Sequence, residues 1–111
     1  MVEMPEDAKN LIAQFQGYQQ QLQSILMQKE SMKMQDLEIE RALEELKSTS
    51  QKTAYKITGQ VMVSKPVEEL KKELGETKEN IDLRIKSLEK SEERLNSKLS
   101  ELQEKLKEVI K

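Results

Sequence analysis

From Met4 to Leu46, apolar side chains recur at alternating steps of four and three: Met4, Ala8, Leu11, Phe15, Tyr18, Leu22, Ile25, Lys29, Met32, Asp36, Ile39, Leu43, Leu46. Eleven of these 13 positions are apolar or Tyr, where chance placement gives roughly four or five. A second run follows the same rule: Val67, Leu70, Leu74, Thr77, Ile81, Ile85, Leu88, Glu92, Leu95, Leu99, Leu102, Leu106, Val109. Two steps of four fall together at Thr77–Ile81–Ile85, a stutter that locally unwinds a supercoil. Each run predicts one long helix carrying a coiled-coil seam, the first over about 5–48 and the second over about 66–110.

The expected boundaries have local causes. Pro5 suits a first helical turn, and Glu6 and Asp7 put negative charge at the positive end of the helix dipole. Pro66 is read as opening the second helix in the same way, with Ser64 or Lys65 as its cap and Glu68 and Glu69 in its first turn. Lys105, Lys107 and Lys111 suit its C-terminal end. Gly17 and Gly75 fall inside the helices and off the seams, each a cost of about 1 kcal/mol relative to Ala.

Between the helices the period changes from 3.5 to 2. Ser48–Thr49–Ser50 ends the first pattern. In the following segment Tyr55 and Ile57 alternate with polar residues, and Val61 and Val63 alternate around Met62. The two short runs meet at Gly59 and read as one β-hairpin over about 53–64.

So short an insert folds the helices back antiparallel. The seams then register, with Leu46 facing Val67, Ile39 facing Leu74, Met32 facing Ile81, Ile25 facing Leu88 and Leu11 facing Leu102. Among the polar seam positions, Asp36 is expected to face Thr77, Lys29 to lie near Ile85, and Glu92 to sit beside Leu22. Such residues on a coiled coil usually fix register at some cost in stability.

Composition narrows the chemistry. The chain has 111 residues, enough for one small domain, and holds 36% charged residues and only one Phe, two Tyr and no Trp. With no Cys there is no disulfide or thiolate chemistry, and with no His the commonest general base and metal ligand are missing. No Gly-rich phosphate loop occurs, and no paired carboxylates are set for acid–base work, so neither an enzyme nor a cofactor is expected. Nineteen basic residues against 21 acidic ones leave no surplus for nucleic acid. No apolar run approaches the ~20 residues of a membrane span, and no signal-peptide pattern opens the chain. The expectation is a cytoplasmic protein with no membrane partner. Abundant Lys and Glu without Cys also suit an organism living hot.

What remains is apolar surface. Leu26, Met27 and Met34 fall on outer heptad positions. Ile12 does too, and Val2, Met4, Val109 and Ile110 crowd the free helix ends. Mobile Met and aliphatic groups suit the binding of many different chains. A lone two-stranded hairpin is marginal in water and its edges invite pairing. Several copies or relatives are therefore expected to join their hairpins into a shared sheet or closed barrel.

Several stretches carry a family resemblance. They are Ala13-Gln14-Phe15-Gln16, Gln19-Gln20-Gln21-Leu22, Gln28-Lys29-Glu30, Ala42-Leu43-Glu44-Glu45-Leu46 and Tyr55-Lys56-Ile57-Thr58-Gly59-Gln60-Val61-Met62-Val63. Glu89-Lys90-Ser91-Glu92-Glu93-Arg94-Leu95 adds to them. The chain resembles an archaeal prefoldin subunit of beta type over nearly its whole length. The hairpin set between equal helices is the specific element. The resemblance implies a mainly α fold, in which an antiparallel coiled coil is joined by one β-hairpin. It also implies a heterohexamer of two alpha-type and four beta-type subunits whose hairpins build a β-barrel body. Its function would be ATP-independent holding of unfolded proteins at the coiled-coil tips and their transfer to a group II chaperonin. Carried onto this sequence, the client-binding positions are Val2, Met4, Leu11, Ile12, Phe15, Leu102, Leu106, Val109 and Ile110. The assembly positions are Tyr55, Ile57, Gly59, Val61 and Val63. The competing reading is a structural or adaptor coiled coil with one specific partner.

Overall fold

The computed structural model describes residues 6–110, with Ile110 described by its backbone alone. Val2, Met4, Pro5 and Lys111 and the Ile110 side chain lie outside the described residues. The element order is α1 (Glu6–Ser48), β1 (Thr53–Thr58), β2 (Val61–Pro66) and α2 (Val67–Ile110).

Helix α1 begins with Glu6 and Asp7 in its first turn and has Lys47 in its last, so both ends complement the helix dipole. It ends where Ser48 Oγ and the Thr49 amide both donate to the Glu45 carbonyl, at 3.2 and 3.1 Å. These two hydrogen bonds satisfy one of the orphan carbonyls of the last turn.

The hairpin pairs β1 with β2 antiparallel, from Thr53 opposite Pro66 to Thr58 opposite Val61. Only Gly59 and Gln60 remain for the turn. Gly59 adopts a φ of 62°, and among the described residues no non-glycine residue has a positive φ. Glycine at the first central position fits a type II′ turn, whose twist matches that of the strands.

The start of the second helix differs from expectation. Pro66 is the last residue of β2 and α2 begins at Val67. Ser64 and Lys65 lie in the ladder, opposite Tyr55 and Ala54, and so do not cap the helix. The Val67 amide instead donates to the Lys52 carbonyl at 2.9 Å, which satisfies an orphan donor of the first turn.

The chain divides into two compact units, one of Met1–Glu30 with Lys86–Lys111 and one of Ser31–Ile85. In the second, Val67, Leu70, Ile81 and Ile85 of α2 are buried, and Met32, Ile39, Leu43 and Leu46 of α1 are half-buried. Asp36 does not meet Thr77. Thr77 is exposed, and its hydroxyl donates back to the Glu73 carbonyl at 3.0 Å. Lys78 takes the inward place and donates to Asp36 at 3.1 Å and to Asp82 at 3.4 Å. A half-buried carboxylate is better satisfied by an ammonium than by a hydroxyl. The doubled step of four accordingly falls at Leu70–Leu74–Lys78.

In the first unit, Ala8, Leu88, Leu95 and Leu102 are buried. Leu11, Phe15, Tyr18, Leu22 and Ile25 of α1 are half-buried, as are Leu99, Leu106 and Val109 of α2. Lys29 and Glu92, expected beside Ile85 and Leu22, meet each other instead. Lys29 Nζ donates to Glu92 Oε1 at 2.8 Å and to Oε2 at 3.3 Å. Two long side chains leaning together cover the ~10 Å of a heptad step, and neither ion is left unpaired beside leucines.

Candidate functional site

The register sorts the hairpin side chains onto two faces, because partners across a ladder share a face. One face carries Tyr55, Ile57, Met62 and Ser64. The other carries Ala54, Lys56, Val61, Val63 and Lys65. Tyr55, Ile57, Val61 and Val63, grouped together from sequence, are thus split between the faces. Met62, not among the expected assembly positions, sits opposite Ile57. A two-residue turn at Gly59 and Gln60 is the signal that could have placed it there.

The first face is bare. Tyr55, Ile57 and Met62 are 69%, 73% and 63% exposed. Three large apolar side chains side by side on a two-stranded sheet make a patch that water solvates poorly and a second sheet or strand layer can cover.

The second face is tied to α2 through its lysines alone, and Val61 and Val63 on it stay 60% and 40% exposed. Lys65 Nζ donates to Glu73 Oε1 at 2.8 Å, and Lys56 Nζ donates to Glu73 Oε2 at 3.3 Å. One carboxylate two turns into α2 therefore holds a lysine from each strand. Lys65 also stands 3.8 Å from Glu69. Bonds from Lys65 and then Lys56 hold the Glu73 carboxyl below the usual carboxylate range. The bond to Glu73 pushes the Lys65 ammonium above the usual lysine range. Sequence reading missed Glu73, because an acid on a helix surface has no mark until the register shows which lysines face it.

The positions expected to contact clients are distributed unevenly. Leu11, Ile12, Phe15, Leu106 and Val109 are half-buried. Leu102, 5% exposed, packs inside and offers no surface in this conformation. Leu11 and Val109 line one open groove with Asp7, Asn10, Gln14, Lys105 and Glu108, so the two helices each bring an apolar side chain to it. Val2, Met4 and the Ile110 side chain fall outside the described residues. Exposed apolar side chains elsewhere on the helices are Leu26, Met27 and Met34, and also Leu37 and Leu83, which sequence reading did not single out. No helix among the described residues is long and apolar enough to cross a membrane.

Comparison with known proteins agrees with this geometry. The prefoldin subunit family model matches residues 9–111. The prefoldin subunit beta of Archaeoglobus fulgidus is 39% identical over 111 residues, covering 99% of this chain and 96% of that one. The prefoldin subunit beta of Thermococcus onnurineus is 33% identical over 112 residues, covering 100% and 97%. The crystal structure of the prefoldin beta subunit from Thermococcus strain KS-1 matches with a TM-score of 0.87 and 31% identity, over 97% of this chain and 96% of that one.

Proposed function

Because this chain belongs to the prefoldin family, a family of chaperones, as a subunit of beta type, we propose that it acts as an ATP-independent holdase within a heterohexamer. Two alpha-type and four beta-type subunits make up that complex, and its clients pass to a group II chaperonin in the cytoplasm. The observation that carries the assembly half of this reading is the bare face of Tyr55, Ile57 and Met62. Covering it with neighbouring hairpins removes apolar surface from water at about 25 cal/mol per Å² and pairs strand edges that a lone hairpin leaves open. Gly59 sets the turn that brings the face together, and Val61 and Val63 support assembly from the other side of the sheet.

Client binding then follows from number. Leu11, Ile12, Phe15, Leu106 and Val109 supply small half-open contacts at each helix pair, with Val2, Met4 and Ile110 beside them in sequence and Leu102 as packing beneath. Each contact alone is weak. Several on one scaffold raise effective affinity by about 10²–10⁴, and adaptable aliphatic contacts accept unrelated clients.

The test is the mass of the chain by light scattering, alone and with an alpha-type partner, followed by aggregation of a denatured client with and without ATP. A hexamer that suppresses aggregation equally in both conditions supports the reading. A dimer that ignores both partner and client refutes it and leaves an adaptor coiled coil.

A further inference from the structure

Nineteen consecutive residues, Asn10 to Gln28, carry no charge in a chain that is 36% charged, where about seven charges are expected. Seven of the residues from Gln14 to Gln28 are glutamine. Gln16, Gln20 and Gln23 recur at helical spacing and share one face of α1 with Gln19. These four line an open groove with Leu22 of α1 and Leu99 of α2. The four glutamines are exposed and the two leucines half-buried, so amides rim the groove above a narrow apolar floor. Gln28 donates to Ser24 at 3.2 Å, whereas among the described residues the four groove amides form no hydrogen bond within the chain.

We propose that this groove receives an extended, weakly charged segment of an unfolded polypeptide and reads its backbone. The inference rests on the holdase reading above and names the chemistry that the client presents. A glutamine amide offers one acceptor and two donors, the same groups as a peptide bond. An unfolded segment has its backbone N–H and C=O groups bonded only to exchangeable water, whereas a folded protein has paired most of them within its own secondary structure. A row of free amides therefore distinguishes the two states without reading side chains. Leu22 and Leu99 give the client's apolar residues a place to rest.

The absence of charge favours this occupant over others. A charged partner or a nucleic acid is recognised by opposite charge, which this stretch lacks. A further helix docks through an apolar stripe at i, i+3, i+4 and i+7, and here Gln16, Gln19, Gln20 and Gln23 occupy that stripe. A neutral rim repels clients of neither sign and is cheaper to desolvate than lysine or glutamate.

The experiment uses the complex assembled from the full chain and its alpha-type partner. The chain is either wild type or carries Gln16→Ala, Gln20→Ala and Gln23→Ala together. Alanine is at least as good a helix former as glutamine, so the helix is kept. The probe is a dye-labelled, uncharged peptide of leucine and threonine, in ordinary and backbone N-methylated forms, followed by anisotropy. The expected result is that the triple variant binds the ordinary peptide about tenfold more weakly than wild type, and that both bind the N-methylated peptide equally weakly. Equal binding of the ordinary peptide by wild type and variant overturns the groove while leaving the holdase reading intact. A variant of altered mass with unchanged peptide binding assigns the groove to subunit contact and overturns it too. If the wild-type complex binds neither peptide and fails to hold a reduced, alkylated lactalbumin, the holdase reading and the groove fall together.

Discussion

Lys65 Nζ lies 2.8 Å from Glu73 Oε1, and the same carboxylate takes Lys56 of the other strand at 3.3 Å. Glu73 thereby fastens both strands to the first turns of α2, and the hairpin is left with Tyr55, Ile57 and Met62 on its bare face. The clamp should be sensitive to acid. Its folded-state pKa lies below the unfolded value. Its contribution is therefore present above the ordinary carboxylate range and is lost as pH falls through the folded value. Glu73→Gln should flatten the acid limb of a stability-against-pH curve by a small amount, since partly exposed ion pairs are individually weak. Thermal melts across the acid range check this, and parallel curves for the two proteins would count against the clamp.

Met62→Asp should block assembly more completely than Val61→Asp. Both substitutions put charge on the hairpin, but Met62 stands on the bare face beside Ile57, and Val61 shares the face that carries Lys56 and Lys65. A carboxylate at position 61 lies diagonal to Lys56, whereas one at position 62 lies opposite Ile57 and diagonal to Tyr55, with no lysine on its face. Sizing chromatography with the alpha-type partner separates the cases. A Met62→Asp protein that still elutes as the full complex sinks the shared-sheet interface.

Lys29 and Glu92 form the polar interruption of the first unit, with side chains 16% and 22% exposed. The bond to Glu92 raises the Lys29 pKa. The contribution of the Lys29 charge therefore holds below the ordinary lysine range and is lost as pH rises through the raised folded value. Lys29→Glu alone sets two carboxylates together and should lower the melting temperature. Adding Glu92→Lys should recover most of that loss. A double variant no more stable than the single one would show that this pair carries no coupling.

The seams were legible because a 3.5-residue repeat leaves a periodic trace that survives two polar substitutions in each run. Twelve positions expected along α2 are buried or half-buried, and only Thr77 is not. That position was not legible from its own helix. Whether Thr77 or Lys78 turns inward depends on a carboxylate, Asp36, that α1 brings near. The hairpin was legible from its alternation and its glycine. Its two faces were not, because alternation within one strand gives that strand's faces alone. The register that joins Met62 to Tyr55 and Ile57 is a property of the pair. The helix-end positions were the least legible, because Leu11 and Val109 on a groove and Leu102 in the interior have the same heptad character.

Gly17 and Gly75 are helical, and a Cβ added at either meets no atom within 4 Å. Gly17→Ala and Gly75→Ala should each stabilise the chain by about 0.5–1 kcal/mol, mainly by removing freedom from the unfolded state. Denaturant midpoints should rise with unchanged slope. Gly59→Ala should do the reverse, because its φ of 62° is one that alanine adopts only under strain. A neutral or destabilising result at Gly17 and Gly75 would show that those faces are covered in the assembled protein.

Val109 is half-buried and lines a groove with Leu11, and Ile110 follows it in sequence. Replacing both with Ser removes two apolar residues from the end of the chain and leaves the hairpin sequence untouched. The complex should keep its mass, because Tyr55, Ile57 and Met62 are unchanged. Protection of a denatured client should weaken by about tenfold, since in the proposed complex the loss repeats on every beta-type copy and multivalent binding multiplies small losses. The same substitutions should shift the melting temperature little, because the buried residues Leu95 and Leu102 remain. Light scattering of the client at graded ratios of complex reads the effect, and sizing of the same samples guards against disassembly. Undiminished protection by an intact complex would move client binding away from the helix ends and toward the uncharged face of Gln16, Gln20 and Gln23.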